Sequence, residues 1–136
     1  MSQLAYLSGF FDGEGCVSIT KNGSVDLRIV NTNKSVLEEF KDRFGGSVTS
    51  RKQRTNKNQY VWCIYGTEAV VTAQLLFTHS RDKAEQLIVI IEYFDKRNTI
   101  PTITKENSKG RFGNPERKAL VTNYRSLLSD LKKKEQ

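Results

Sequence analysis

Cysteine, proline, histidine and long apolar runs are all scarce in this chain of 136 residues. The two thiols, Cys16 and Cys63, cannot make a disulfide framework or a zinc site alone, so a reducing, intracellular setting is expected. The one histidine, His79, falls where a loop or helix-cap residue is expected rather than a general base. No apolar run reaches the roughly 18 residues that a membrane-spanning helix needs, so no membrane partner is expected. Residues 1–20 contain no lysine or arginine, and acids enter at Asp12 and Glu14, which is not the pattern of a secretory leader. There is no internal repeat and no low-complexity segment. The length suits one domain able to bury most of the surface its unfolded chain exposes.

Positive charge is what the chain has in excess. Against 15 acidic residues stand 22 basic ones, a net +7 with a pI near 9.5. That balance points to a polyanionic partner, nucleic acid ahead of membrane, because no basic amphipathic helix with an aromatic face stands out. The bases are segregated. Residues 47–60 hold Arg51, Lys52, Arg54 and Lys57 without one acid, and residues 96–118 hold seven bases and two acids. An acidic site and two basic segments are therefore separated along the chain.

Periodicity gives the elements. Leu4, Leu7 and Phe11 recur at helical spacing over 3–13, with Ser2 as N-cap and Gly13 and Gly15 as stops. Residues 16–21 and 25–30 read as strands joined by Asn22-Gly23, a type I′ hairpin signal. A helix follows over 35–44, with Leu37, Phe40 and Phe44 on one face and Gly45-Gly46 at its end. Residues 47–54 and 60–65 form a second hairpin, and 67–77 a short helix. The strongest amphipathic helix is 83–97, its stripe made of Leu87, Ile90, Ile91 and Phe94. A polar loop over 98–114 leads to Pro115, suited to a first helical turn, and to a terminal helix with Leu120, Tyr124, Leu127, Leu128 and Leu131 apolar and a frayed end from Lys132. Cys16 and Cys63 are expected as buried or half-buried strand residues, and Trp62, Tyr65 and Phe94 as core.

The segment from Leu4 to Gly15 is the informative one. A helix carrying the small residues Ala5, Ser8 and Gly9 ends in two carboxylates, Asp12 and Glu14, and runs straight into a strand. Small residues let a second helix approach closely. Carboxylates at a helix C-terminus are disfavoured by the macrodipole, and a cation there would offset both charges. Two such ends brought together would offer oxygen ligands suited to Mg²⁺. The plainer reading, a polar turn that closes a helix, stays open on these residues alone.

The same segment resembles the signature of the LAGLIDADG homing endonucleases, in the variant with an aromatic pair before the acid. The αββαββα order that follows is similar too, as is Asn31-Thr32-Asn33-Lys34 leading into a helix and Gly45-Gly46. The resemblance spans about residues 4–97 and contains one copy of the motif. It implies an α+β, αββαββα fold with an antiparallel DNA-binding sheet and an extra C-terminal helix. As a single domain, 1–136 would divide into a core of about 3–97, a basic loop 98–114 and a terminal helix 115–134. It further implies a site-specific double-strand DNA endonuclease serving intron mobility. Such an enzyme acts as a homodimer on a long near-palindromic target, depends on Mg²⁺, and works in the cytoplasm or an organelle matrix of its host. Non-cleaving alternatives of the same fold are an RNA splicing maturase, with RNA as partner, and a DNA-binding regulator. An unrelated basic RNA-binding domain is a third possibility.

Carried over by residue, the resemblance makes Glu14 the metal ligand, aided by the backbone carbonyl of Gly13. Asp12 supports helix-end packing and local hydrogen bonds. Asn33 either orients a water near the metal or serves as an N-cap. The basic catalytic position falls on Lys83 if Lys83 and Gln86 match a K-x-x-Q pattern, or on Ser80 with Arg81 nearby if Ala84 sets the register. Ala5, Ser8 and Gly9 become the dimer interface. DNA reading falls to the sheet, where a two-stranded ribbon fits the major groove. Thr49, Arg51 and Gln53 share one face of their strand, and Ser50, Lys52 and Arg54 the other. Arg28 is a base or phosphate contact, and Arg51 and Gln53 are the leading candidates for base edges. Lys57, Lys105, Lys109 and Arg111 read as phosphate contacts, with Arg97 beside them.

Overall fold

The computed structural model describes residues 2–52, 58–100 and 115–134. Ser2 caps helix α1 (Gln3–Glu14), its Oγ accepting the Ala5 N–H at 3.1 Å. Leu7 and Phe11 turn fully inward from it. The helix passes without a loop into β1 (Gly15–Ile19), followed by β2 (Val25–Asn31), α2 (Lys34–Phe44), β3 (Ser47–Lys52), β4 (Asn58–Tyr65), α3 (Thr67–Phe77), α4 (Ala84–Thr99) and α5 (Pro115–Lys134). The expected order is therefore present, with boundaries moved by one to three residues. One strand end, at 53–54, lies outside the described residues. The terminal helix continues through Lys134 where fraying was expected.

The abrupt passage from α1 to β1 depends on Gly15. A Cβ there would overlap the ring of Phe11, which is fully buried. Gly15→Ala should lower stability by about 1–3 kcal/mol through overpacking. Calorimetry should show the thermal midpoint falling by several degrees, and an unchanged midpoint would mean that the ring moves aside freely.

The first hairpin differs from the expected two-residue type I′ turn. Among the described residues no non-glycine has positive φ, which excludes Asn22 from the left-handed region. Instead Thr20 N–H donates to Ser24 O at 2.8 Å, Gly23 N–H to Thr20 O at 2.9 Å, and Gly23 alone takes φ 87°. This is the three-residue loop that closes a turn with one left-handed glycine. The Tyr93 hydroxyl donates to the Gly23 carbonyl at 2.6 Å, tying the loop to α4.

The four strands are antiparallel in the order β1-β2-β4-β3. Alternation gives the sheet two unlike faces. Val17, Ile19, Val25, Leu27, Ile29, Trp62 and Ile64 are buried on the helix-covered face. Phe40 lies 4.9 Å from Trp62 between ring centroids, and the indole N–H donates to Gly45 O at 2.9 Å. Buried residues from α1 through α5 join this one cluster. The terminal helix packs on α4 and β1. It buries Tyr124 and Leu128 but leaves Leu127 exposed, a departure from the all-apolar reading of its stripe.

On the opposite, open face stand Cys16 and Ser18; Asp26, Arg28 and Val30; Gln59, Val61, Cys63 and Tyr65; and Ser47, Thr49 and Arg51. The register aligns them in rows such as Cys16–Arg28–Cys63–Ser47 and Ser18–Asp26–Tyr65. Two expectations fail here. Tyr65 is 63% exposed rather than core, and Cys16 is exposed rather than buried. Both sit on the open side of the pleat, and for Tyr65 the unbroken run of β-formers in 61–65 conceals this.

Candidate metal site and nucleic-acid interface

The C-terminal end of α1 has no basic residue in its last turn, so its two carboxylates must be stabilised from elsewhere. They meet opposite fates. Asp12 is half-buried and turned toward the start of α4. It accepts the Ser80 hydroxyl, the Arg81 N–H at 2.7 Å and the Lys83 N–H at 3.2 Å. A carboxylate among N–H groups at a helix N-terminus is favourable both as an acceptor and against the dipole. The three candidates for the basic position, Ser80, Arg81 and Lys83, thus all hang on Asp12. The Arg81 side chain is exposed and Lys83 is half-buried as the N-cap of α4. Helix α4 begins at Ala84, one residue after the expected start.

Glu14 is the other case. It is exposed, closes α1, and has no hydrogen-bond or ion-pair partner among the described residues. Behind it the last carbonyls of the helix, Gly13 among them, lack intrahelical donors. The donor set of Glu14 carboxylate and Gly13 carbonyl is all oxygen and suits a hard cation such as Mg²⁺, which keeps several waters. It is also incomplete: among the described residues no three His, Cys, Asp or Glu side chains converge to hold a metal. An ion there must draw its remaining ligands from water or another molecule.

Asn33 lies at the same end of the sheet, since Gly15 pairs with Ile29 and the chain runs on through Asn31 to Asn33. It occupies the N-cap position of α2 but makes no side-chain cap bond. Its Oδ1 accepts the Ser35 hydroxyl at 2.7 Å and its N–H donates to Asn31 Oδ1 at 2.8 Å. The carboxamide –NH₂ stays at the surface. His79 is exposed in the turn after α3, as a loop residue.

One expected interface residue is displaced. Ser8 is 1% exposed, with its Oγ buried and unpartnered. It lies on the inward side of α1 with Leu7 and Phe11, so it offers no surface to a second helix. The outward side carries Ala5, Gly9 and Gly13, spaced by four, with Tyr6 beside them 44% exposed. A Cβ on Gly9 or Gly13 would meet nothing within 4 Å. Gly13 joins Ala5 and Gly9 on this side by the i, i+4 spacing that the sequence already carried.

Of the predicted nucleic-acid contacts, Arg28 and Arg51 are exposed on the open face. Lys52 pairs with Asn58 at the end of β3. Gln53, Arg54, Lys57, Lys105, Lys109 and Arg111 lie outside the described residues. Arg97 rests over the Phe94 ring at 5.5 Å, and its carbonyl accepts from Arg117 at 3.0 Å, which is a packing role. The structure adds two polar groups that the sequence did not single out. Gln59 is the cross-strand partner of Arg51, and its amide oxygen is buried without a donor. Lys132 reaches across from α5 to place Nζ 3.8 Å from Cys16 Sγ, on the open face two residues from Glu14. Burial pushes the Cys63 thiol up, while the neighbouring Arg28 guanidinium works the other way.

A family model described as the LAGLIDADG-like domain matches residues 1–85. The homing endonuclease I-CvuI bound to its DNA target superposes with a TM-score of 0.68 at 19% identity, covering 95% of this chain and 81% of that one. The archaeal intron-encoded homing endonuclease I-Vdi141I, also complexed with DNA, gives 0.67 at 14% identity over 95% and 83%. A double mutant of I-SmaMI gives 0.56 at 15% over 90% and 49%. No curated protein sequence matches the chain. Among the described residues no helix is long and apolar enough to cross a membrane.

Proposed function

Since the chain belongs to the LAGLIDADG family and has its α+β fold, we propose that it is a Mg²⁺-dependent homodimeric endonuclease that cuts both strands of a long near-palindromic DNA site. The observation that carries this reading is the contrast at the end of α1. Asp12 is used in holding the turn at 80–83, while Glu14, two residues away, is exposed and has no partner among the described residues.

Hydrolysis of a phosphodiester needs an activated water and neutralisation of the charge that develops as the 3′ oxygen leaves. The ion that Glu14 and the Gly13 carbonyl would hold supplies acidification of water and charge neutralisation at the phosphate. The chain's own residues do the rest. Glu14 presents a carboxylate at the surface, with no competing partner among the described residues. Asp12, through the backbone of Arg81 and Lys83, sets two cationic side chains at the same helix end. Asn33 offers its –NH₂ to orient a water. The open face, with Arg28, Thr49, Arg51 and Gln59, faces the major groove, and Lys132 joins the loop lysines on the phosphates. A second copy would pack its α1 along Ala5, Gly9 and Gly13 and bring two Glu14 carboxylates to one duplex, one for each strand.

Selection of cleaved duplexes from a randomised library with Mg²⁺ tests the activity, and light scattering tests the assembly. Gly9→Leu should fold normally, because a Cβ on Gly9 would meet nothing within 4 Å and leucine is the better helix former by about 0.5–1 kcal/mol. It should nonetheless halve the particle mass and lose double-strand cutting. A dimer of unchanged mass would remove this side of α1 from the interface.

A further inference from the structure

Among the described residues Asp26 is the one charged side chain that is buried, at 7% exposure. It lies on the open face, not among the apolar residues under the helices. Burying a carboxylate is costly unless partners replace its water. Asp26 has two: the Ser18 hydroxyl donates to it from β1, and Arg28 Nη2 stands 3.9 Å from Oδ2. Arg28 itself is half in solvent, with a side chain 52% exposed. The thiol of Cys63 flanks the guanidinium on the neighbouring strand, opposite Arg28 in register. The guanidinium therefore has a carboxylate on its own strand and a thiol on the next one beside it, with half of the side chain open to solvent.

We propose that Asp26 is a specificity-determining residue that makes Arg28 a reader of guanine rather than a phosphate contact. The selection is electrostatic and rests on the DNA-binding function proposed above. A phosphate contact depends on net positive charge and releases counterions. The adjacent carboxylate cancels that charge and repels a phosphate brought to the same place. A guanine edge presents two neutral acceptors, O6 and N7, and asks only for two donors in a fixed plane, which arginine supplies. Asp26 both neutralises Arg28 and limits the rotamers from which it can reach the groove. It acts through Arg28 and is a positioning residue. For stability alone an apolar residue would serve as well at this site.

The experiment selects bound duplexes from a randomised library without divalent metal and compares full-length wild type with Asp26→Asn and Arg28→Ala, each also titrated with salt. Asp26→Asn and Arg28→Ala should each reduce guanine preference on the order of tenfold, at the same position of each half-site. Asp26→Asn should also steepen the slope of log affinity against log salt by about 0.9, as Arg28 becomes free to neutralise a phosphate, whereas Arg28→Ala should leave the slope near the wild-type value. An unchanged Asp26→Asn profile overturns the proposal, as does an Arg28→Ala variant that loses a salt-slope unit with no change in base preference. If Asp26→Asn does not fold, Arg28→Ala decides, because only an arginine already neutralised by its neighbour can be removed with the salt slope unchanged. Lost guanine preference at an unchanged slope supports the proposal, and retained preference or a lost slope unit overturns it. Wild-type protein that binds no duplex with position-dependent preference would overturn the DNA reading itself, and this proposal with it.

Discussion

Replacing Glu14 by glutamine should abolish DNA cutting while leaving duplex binding and stability intact. The carboxamide has the shape of the carboxylate without its charge, and it is a poor ligand for a hard cation. Because Glu14 is exposed and without a partner among the described residues, no internal contact is lost. Removing a negative charge from the C-terminal end of a helix should if anything stabilise α1 slightly, by about 0.3–1 kcal/mol. Loss of metal-derived stabilisation of several kcal/mol corresponds to a cutting rate lower by about 10³-fold or more. Cleavage of a selected duplex at saturating protein measures the first effect, and gel-shift affinity without metal the second. Equal cutting by both proteins would exclude Glu14 as a ligand, and a wild type that binds duplex without cutting it would favour a non-cleaving role for the fold.

Asp12→Ala should have the opposite profile, a loss of stability first and of activity through it. Three donors lose their acceptor at once: the Ser80 hydroxyl and the Arg81 and Lys83 N–H groups. Hydrogen bonds to a charged group are individually worth about 1.5–3 kcal/mol and are not additive within one cluster, so a cost of about 2–4 kcal/mol is expected. Part of it is offset because the freed N–H groups can reach water. Thermal unfolding should show a midpoint lower by roughly 6–16 °C. Ser80→Ala, which removes one donor, should cost about 1 kcal/mol. Cutting by Asp12→Ala at a temperature where it is still folded should fall by about tenfold or more, since a misplacement of even about 1 Å is costly for positioned groups. A midpoint within a degree of wild type would mean that the turn at 80–83 is held by something other than this carboxylate.

The two acids of one motif meet different surroundings, Asp12 among three donors and Glu14 at the surface. From the residues alone Asp12 and Glu14 are alike, two carboxylates at a helix end on either side of Gly13, and only the family resemblance gave the metal to Glu14 and local hydrogen bonds to Asp12. What distinguishes them is the loop before α4, some 70 residues away. Similar reasons account for the other differences. Ser8 reads as one of three small residues on a helix surface, yet the rotation of α1 against α3 and the sheet turns it inward and puts Gly13 in its place. Tyr65 reads as core because five β-formers in a row carry no alternation, and the pairing with Asp26 decides which side it takes. Asn22-Gly23 carries a two-residue turn signal, but the loop closes over three residues, with Tyr93 of α4 bound at Gly23.

Local sequence was sufficient where one chemical signal had one outcome. The helical spacing of Leu7 and Phe11, the cap at Ser2, the double glycine after Phe44 and the separation of acids from bases all act over a few residues. They determined the element order, the sheet, the family and the two candidate acids. Tertiary structure decided whatever depends on partners distant in the chain: which acid is consumed and which is left free, which small residues face outward, and that Asp26 is buried beside Arg28. The reason is physical. Periodicity and capping are energies between near neighbours, whereas burial and electrostatic pairing depend on groups that only folding brings within a few ångströms.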